Sequence, residues 1–459
     1  MSGGLSNSQT TTSAFQPALS ILPTNQHLLP IARLARAFPD KIALITDDAA
    51  LSYSELNRRA AALAASLSAR GVAPGDRVSL LSQNRWEWIV SYHAALRLGA
   101  VVNPLNAMLT ADEFEYVSAD AGSNVLIAST EHLATVAASL PRLDSLRLVV
   151  VFEATAGAST SGAARSDAAS GTIEHVPFSE LLRPAQPEFS PVAAAPDELA
   201  CIAYTSGTTG RPKGAMQTQR SLLLNCAYTA TMHGRSAADT VVTALPATHV
   251  YGNMAIHSVL LVGGTVVLMS RFDAGRALAL IDQHRATLID GVPAMYAMML
   301  ADPGLETADL STLTRSIVGG QVIAPSVVER REARTGAPLI ELWGMTELSG
   351  LGTTHAQHAP NVHGSIGVAL PGVEARVADV ADPRRTCAVD EPGELVIRGP
   401  IVMQGYHNNP VATAKAIDDE GWLHTGDVVT RPAPTKKAFS LTRASASRRT
   451  RFPAARSTS

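Results

Sequence analysis

The chain has 459 residues, of which 46 % are hydrophobic and 17 % charged, a composition typical of globular proteins with about two to four domains. Its net charge is −3, and its basic residues cluster only in one short segment after residue 430, which argues against a nucleic-acid binder. Its longest apolar run is too short to predict a membrane helix. Cys201, Cys226 and Cys387 lack ligand spacing, which excludes a disulfide framework or zinc site and favours a reducing cytoplasm.

The N-terminal part of the chain begins with a polar segment and then alternates between helical and strand patterns. Residues 1–28 are rich in Ser, Thr and Gln and lack the features of a secretory signal, so a disordered leader is predicted. Apolar spacing predicts a helix over Ser54–Gly71, followed by a buried strand over Arg77–Ser82. The next predicted elements are a helix over Trp86–Gly99 and strands over Ala100–Leu105 and Asn124–Ala128. Strands separated by helices indicate parallel βαβ units.

One stretch interrupts this alternation. Of the 19 residues in Ala154–Thr172, 17 are Ala, Gly, Ser or Thr. Such a segment cannot bury enough apolar surface to offset its ordering entropy. We therefore predict a flexible surface insertion without a function of its own.

The alternation resumes at Leu199 and changes character after Gly364. The predicted strands are Leu199–Ala203, Val241–Leu245, Thr265–Met269, Leu288–Gly291, Arg315–Val318 and Leu339–Leu342, with helices at Ala274–His284 and Pro325–Thr335. Beyond Gly364, short strands at Val373–Val377 and Glu394–Arg398 are separated by Pro-Gly and Gly-Pro turns. The predicted fold class is α/β, with two layered βαβ subdomains of mainly parallel sheets and a small β-barrel-like subdomain.

A turn rich in glycine and hydroxyl residues follows the strand at Leu199. The segment Tyr204–Met216 supplies backbone N–H and side-chain O–H groups that can face one anion, and Lys213 adds a positive charge. It is not a Walker A loop, because Pro212 stands where the second glycine should be. The pattern favours a polyphosphate site; the other interpretation is an ordinary surface turn.

Two further blocks carry candidate site residues. Glu341–Glu347 leaves a strand and enters a loop, where ligand residues of open α/β sheets lie. Taken alone, this block is also compatible with a core Trp343 beside a surface Glu347. The third block runs from Gly393 through Gly405-Tyr406 to Asp427, and an isolated Thr-Gly-Asp is usually a simple turn.

The order of these three blocks resembles the adenylate-forming superfamily, which includes acyl-CoA synthetases, aryl-CoA ligases, luciferases and adenylation domains of peptide synthetases. The resemblance covers roughly residues 30–430 and implies ATP and Mg²⁺, with CoA as co-substrate. It implies that Thr346 binds the α-phosphate, Glu347 binds magnesium and Asp427 binds ribose. Adenine is expected to lie against Trp343 and Gly320. The residues expected to bind the phosphates are Thr205, Ser206, Gly207, Thr208, Thr209, Gly210 and Lys213. Lys213, Thr346 and Glu347 are the predicted catalytic residues. Trp343 departs from the family, which commonly has Tyr there, but its larger π-face suits a purine equally well.

The acyl side is predicted from two segments. Pro246–Gly252 resembles the family segment that lines the carboxylate tunnel, which implies that His249 and Tyr251 lie beside the substrate, with Asn253 nearby. A structural His249 is the other interpretation. Gly319-Gly320-Gln321 resembles the small-residue turn next to adenine and acyl group. The paired glycines and the lack of charge favour an apolar chain or flat aromatic ring over a dicarboxylate.

The resemblance stops after Thr430. In the family a hinge and a small C-terminal domain with a catalytic Lys follow, whereas residues 431–459 contain eight Lys or Arg and no acidic residue. We predict a large AMP-binding domain over 29–430 and an aberrant basic tail over 431–459 in place of that small domain. An altered reading frame or truncated gene is the favoured origin of this tail, and an evolved basic tail is the other interpretation. ATP binding is then expected to persist while adenylation is slow.

The sequence therefore predicts a cytoplasmic fatty acid–CoA ligase that forms an acyl adenylate from a small carboxylic acid and ATP. An aryl-CoA ligase, a ligase that loads a carrier protein, and a non-catalytic binder of ATP or acyl adenylate are the alternatives. No nucleic-acid partner and no membrane helix are predicted.

Overall fold

The computed structural model describes residues 31–152, 173–183, 189–205 and 210–432, and the backbone of 441–443. Within these residues the strands are β1 Ile42–Ile45, β2 Ala50–Ser52, β3 Arg77–Leu81, β4 Val101–Leu105, β5 Val125–Ser129, β6 Leu148–Phe152, β7 Glu174–Pro177, β8 Leu199–Thr205, β9 Lys213–Thr218, β10 Thr240–Thr243, β11 Thr265–Leu268, β12 Leu288–Gly291, β13 Arg315–Val318, β14 Leu339–Met345, β15 Gly350–Thr354, β16 Ser365–Ala369, β17 Glu374–Ala378, β18 Gly393–Arg398, β19 Leu423–Thr430 and β20 Leu441–Arg443.

The helices of the same ranges lie between these strands. They are α1 Ile31–Ala37, α2 Tyr53–Ala69, α3 Trp86–Arg97, α4 Ala111–Ala121, α5 Thr130–Val136, α6 Phe178–Leu181, α7 Gln219–Met232, α8 Val250–Leu261, α9 Ala274–Gln283, α10 Pro293–Ala301, α11 Pro325–Thr335 and α12 Pro410–Ala416. Short 3₁₀ turns occur at Ala137–Arg142, Pro303–Glu306 and Thr346–Leu348. None of the described helices has the length and apolar character needed to cross a membrane.

Two sheets organise the molecule. The smaller one has the order β7-β6-β5-β3-β4-β8-β9 and is parallel except for the β8–β9 hairpin. The larger one runs β17-β18-β19-β20-β16-β15-β14-β13-β12-β10-β11-β1-β2 and is parallel from β14 through β11 to β1. Strands β5, β12 and β13 are buried along their whole length, as expected for parallel strands covered on both faces. The predicted α/β class with mainly parallel sheets is confirmed.

The helices form where apolar spacing and end signals coincide. Helix α2 buries Leu56, Leu63 and Leu67 on one face, as the sequence predicts. The Ser52 side chain accepts a hydrogen bond from the Glu55 N–H at its start, and Gly71, just beyond its end, has a φ of 77°. The predicted elements from β3 to β14 agree with the structure to within three residues at each end, the largest difference being at the end of β14.

The short strands after Gly364 continue the larger sheet. The β14–β15 hairpin reverses the chain direction, and β15 to β20 then pair antiparallel out to β17. These strands are the predicted small β subdomain. Strand β20 lies within the predicted basic tail and pairs with β16 and β19. The predicted leader over 1–28, the insertion over 154–172 and the remainder of 433–459 lie outside the described residues.

Candidate active site

The candidate site is a cavity of about 430 Å³ beyond the carboxyl ends of β10, β13 and β14, where ligands bind in open α/β sheets. The β8–β9 hairpin and β19 complete its wall. It is lined by Thr205, Lys213, His249, Val250, Tyr251, Met254, Gly320, Leu342, Gly344, Met345, Thr346, Glu347, Gly350, Leu351, Tyr406, His424 and Thr425. Seven of the predicted site residues, distant in sequence, thus share one cavity.

The β8–β9 hairpin brings the first and last of the predicted phosphate-binding residues together. Thr205 and Lys213 are paired across the two strands, and both line the cavity. The Lys213 ammonium lies 4.5 Å from the centre of the Tyr406 ring. Among the described residues no carboxylate lies within ion-pair distance of it. A cation with only an aromatic face as partner suits an anionic ligand. Gly210, which is part of this turn, does not line the cavity.

The hairpin is anchored to helix α4. The Tyr204 hydroxyl donates to Asp120 Oδ2 over 2.6 Å, and the Arg211 guanidinium lies 4.9 Å from the Tyr116 ring centre. Burial and the Asp120 contact hold the pKa of the Tyr204 phenol above its ordinary value, so it remains a donor. These contacts flank both sides of the turn. The predicted phosphate ligands Ser206, Gly207, Thr208 and Thr209 lie outside the described residues.

Thr346 and Glu347 lie in the 3₁₀ turn after β14. Gln217 Nε2 donates to the Thr346 carbonyl over 2.8 Å, which ties this turn to β9. Glu347 is only 7 % exposed, and Tyr406 donates its hydroxyl to Glu347 Oε1 over 2.6 Å. Burial and this carboxylate hold the pKa of the Tyr406 phenol above its ordinary value. The described residues offer Glu347 no cationic partner, and a buried carboxylate needs one, so a hard divalent cation fits here.

Trp343 and Asp427 are in direct contact. The indole Nε1–H donates to Asp427 Oδ2 over 2.8 Å, and Trp343 is only 3 % exposed. Its ring packs on β15, where a Cβ at Gly352 would lie 2.6 Å from it. Neither Trp343 nor Asp427 lines the cavity, and their roles at adenine and ribose stay predictions.

The Glu394 side chain connects the Gly-Glu-Leu block on β18 to the Thr-Gly-Asp turn on β19. One of its carboxylate oxygens accepts from the Gly426 N–H over 2.9 Å, and the other lies 2.8 Å from His424 Nδ1. Thr425 donates to the Leu395 carbonyl over 2.6 Å. Strand β18 thereby fixes His424 and Thr425 at the cavity wall.

The acyl wall begins with His249, which caps helix α8. Its Nδ1 accepts a hydrogen bond from the Tyr251 N–H over 3.2 Å. An accepting Nδ1 leaves the proton of the neutral ring on Nε2, and burial lowers the pKa of His249 below its ordinary value. The imidazole can therefore donate its Nε2–H at the cavity. The Tyr251 hydroxyl lies 3.3 Å from the Gly291 and Ile317 carbonyls, which fixes its ring.

Two predicted substrate residues lie outside the cavity. Asn253 faces a separate cavity of about 10 Å³, and Val250 lines both cavities. Gly319 packs against Leu342, because a Cβ at Gly319 would lie 2.2 Å from that side chain. Gly320, with a φ of 84°, lines the main cavity as predicted.

Several cavity residues were not predicted from the sequence. Tyr406 and His424 fell within the third block, but no role was assigned to either side chain. Val250 and Met254 could have been found from helical spacing around His249, because residues one helical turn apart share a face. The remaining apolar residues carry no local signal.

A mainly parallel α/β fold whose cavity contains both an ammonium and a buried carboxylate suits an enzyme that binds a phosphorylated ligand together with a divalent cation. The family model described as "AMP-binding enzyme" matches residues 31–407. The chain belongs to this family, and it is an enzyme of the AMP-forming acyl-CoA synthetase class.

Similar proteins are acid–CoA ligases by name. A feruloyl-CoA synthase from Amycolatopsis sp. is 36 % identical over 87 % of this chain and 74 % of its own length. An indoleacetate–CoA ligase from Aromatoleum aromaticum is 35 % identical over the same shares. A solved structure of a putative long-chain-fatty-acid CoA ligase from Rhodopseudomonas palustris has a TM-score of 0.79 and 29 % identity, covering 92 % of this chain and 99 % of that one.

The CoA ligases of this family use ATP, Mg²⁺ and CoA. The cavity fits ATP and Mg²⁺, since Lys213 has no carboxylate partner among the described residues and can attract phosphate, and Glu347 offers a buried carboxylate to the metal. The predicted cofactors are therefore confirmed, whereas the role of each residue stays a prediction.

Proposed function

We propose that this enzyme activates a compact carboxylic acid that carries a ring, forming an acyl adenylate and then a CoA thioester. The observation that carries the proposal is the uncharged lining of the acyl side of the cavity. Its wall consists of His249, Val250, Tyr251, Met254, Leu342 and Leu351, and contains no Lys, Arg, Asp or Glu. Such a wall favours an apolar group over a dicarboxylate.

The cavity volume supports a compact acid. About 430 Å³ lies at the low end of the roughly 300–1,000 Å³ range of small-molecule sites, and the adenylate must share it. Val250 lies between the main cavity and the small one, and the Tyr251 ring is fixed by its hydroxyl, so we expect these two side chains to limit the length of the acid. The names of the feruloyl and indoleacetate ligases, whose acids carry rings, agree with this proposal.

The proposed roles follow from where each group lies. An oxygen of the acid attacks the α-phosphorus of ATP, pyrophosphate leaves, and the CoA sulfur then attacks the acyl carbon and displaces AMP. Lys213 attracts the phosphate oxygens, Thr346 donates a hydrogen bond to the α-phosphate, and His249 donates its Nε2–H to the acid. Glu347 would hold Mg²⁺, which when bound neutralises phosphate charge.

Pyrophosphate release tests the proposal. The purified chain is supplied with Mg²⁺ and ATP and with a panel of acids: hydroxycinnamic and indole acids, and fatty acids of 6 to 16 carbons. We expect release to depend on the acid and to be fastest with the ring-bearing acids. Preference for the longest fatty acids would overturn the ring proposal in favour of the fatty-acid ligase. ATP binding without acid-dependent release would identify a non-catalytic binder.

Lys213→Met tests, in the same assay, whether pyrophosphate release depends on the proposed site. Removing one preorganised charge at a reacting centre costs ~10²–10³ in rate, so release should fall by about that factor.

We also propose a cytoplasmic location for this enzyme. Three buried free thiols, those of Cys201, Cys226 and Cys387, agree with a reducing compartment.

A further inference from the structure

The segment 403–407 connects the two parts of the site that carry charge. Its Met403 N–H donates to the Glu347 carbonyl over 2.8 Å. Its other end pairs with β9, because the His407 N–H donates to the Gly214 carbonyl over 2.7 Å, next to Lys213. The backbone of this segment thus holds the turn bearing Glu347 and the strand bearing Lys213 at a fixed separation.

The side chain of Tyr406, at the centre of this segment, repeats the same connection. Its hydroxyl donates to Glu347 Oε1 over 2.6 Å, and its ring centre lies 4.5 Å from Lys213 Nζ. Tyr406 is 7 % exposed, and its own N–H is held by Thr413 Oγ1 over 2.9 Å, so the ring has a defined place. One buried side chain therefore contacts both predicted catalytic charges.

We propose that Tyr406 is a positioning residue for both charges: its hydroxyl orients the Glu347 carboxylate toward a divalent cation, and its ring supports the Lys213 ammonium. This inference rests on the proposed ATP-dependent function. The hydroxyl uses only Oε1 of Glu347, which leaves Oε2 to face the cation. The ring accepts the ammonium without neutralising it, which keeps the full charge for phosphate.

The two contacts can be removed separately. Tyr406→Phe removes the hydroxyl and keeps the ring, and loss of a hydrogen bond to a metal-binding carboxylate typically costs 10–100-fold in metal affinity. Tyr406→Leu removes both contacts, so Lys213 also loses its aromatic support. An additional loss of about 2- to 5-fold in metal-free ATP affinity is expected from this contact.

The test is calorimetric titration of the full chain with ATP, in EDTA and in saturating Mg²⁺, without any acid. The dissociation constant in EDTA divided by the dissociation constant in Mg²⁺ measures how much the metal strengthens ATP binding. In Tyr406→Phe we expect this ratio to fall about 10-fold or more while the affinity in EDTA is unchanged. In Tyr406→Leu the affinity in EDTA should fall as well. Tyr228→Phe, which removes a hydroxyl outside the site, should match the unmodified chain.

A ratio in Tyr406→Phe equal to that of the unmodified chain overturns the inference. Glu347→Gln gives a second route if the Tyr406 variants melt early: it should lose the Mg²⁺ effect but keep its metal-free affinity, because the ring still supports Lys213. Loss of metal-free affinity in that variant also contradicts the proposal. Because no acid is present, failure of the proposed ring-acid chemistry leaves this test intact, whereas absence of any ATP binding overturns both.

Discussion

Val250 lies between two cavities on the proposed acyl side of the site. It lines the main cavity on one side and the small cavity of about 10 Å³ on the other. The small cavity also borders Cys201, Ala203 and Asn253, between β8 and α8. Removing the two Val250 methyl groups would join the two spaces and lengthen the acyl pocket.

We expect Val250→Ala to shift acid preference toward longer chains. Each methylene that gains a buried position is worth about 0.8 kcal/mol, so two added carbons should raise kcat/KM for a longer acid roughly 10-fold relative to the original acid. Pyrophosphate release measured across the acid panel checks this. Val411→Ala, at an exposed valine of α12, is the matched control and should keep the original order of acids. An unchanged order in Val250→Ala would show that the wall does not limit the acid.

The residues that could be predicted from the sequence are those in short contiguous motifs. Lys213, Thr346 and Glu347 stand in such motifs and meet in one cavity as expected. Tyr406 acts on Glu347, which lies 59 positions away, and Tyr204 is held by Asp120 at 84 positions. Such partners depend on how the sheets bring distant segments together, which no local pattern contains.

At the scale of elements, helix α8 must approach the loop before it very closely. A Cβ at Gly252, in its first turn, would lie 2.1 Å from the Pro246 carbonyl oxygen. Only glycine fits there without a backbone shift, so the position of α8 and of His249 and Tyr251 depends on this residue.

Gly252→Ala should therefore displace α8 and damage both stability and acid binding. Overpacking against a rigid backbone costs about 1–3 kcal/mol, and the KM for the acid should rise more than the KM for ATP. Thermal melting and steady-state kinetics check the two effects. Gly275→Ala in α9 is the matched control: its nearest neighbour atom would be 3.5 Å away, so the gain in helix propensity should leave stability equal or higher.

Element types were predictable because parallel strands and amphipathic helices have distinct periods. Strands β12 and β13 are short buried apolar runs, and α2 shows three leucines on one face. The β8–β9 hairpin was only half predicted, because the residues of β9 serve the phosphate turn as well as the sheet. Continuation of the larger sheet through β20 is a tertiary pairing, which the basic, unpatterned sequence near Leu441 does not indicate.

At the scale of the whole molecule, a pair of buried histidines joins the two sheets. His93 on α3, which covers the smaller sheet, stacks on His257 of α8, with ring centres 5.1 Å apart and planes 20° from parallel. Burial lowers the pKa of His257 from its ordinary 6.5 to about 3. Burial, His257 and Arg97 likewise hold the pKa of His93 well below its ordinary value. Both rings are therefore neutral in the folded protein.

The sign of the resulting pH dependence follows from proton uptake. Between pH 6.5 and 3 the unfolded chain binds a proton at His257 that the folded chain does not, so stability is fully present above pH 6.5 and is lost as the pH falls. At pH 5 His257 alone should cost about 2 kcal/mol relative to pH 7, since each pH unit in this window is worth about 1.36 kcal/mol. His257→Gln should flatten the fall of the urea midpoint between pH 7 and 5, whereas His358→Gln, at an exposed histidine, should keep it. If the urea midpoint of His257→Gln falls as steeply between pH 7 and 5 as that of the unmodified chain, acid destabilisation arises elsewhere than at the contact between α3 and α8.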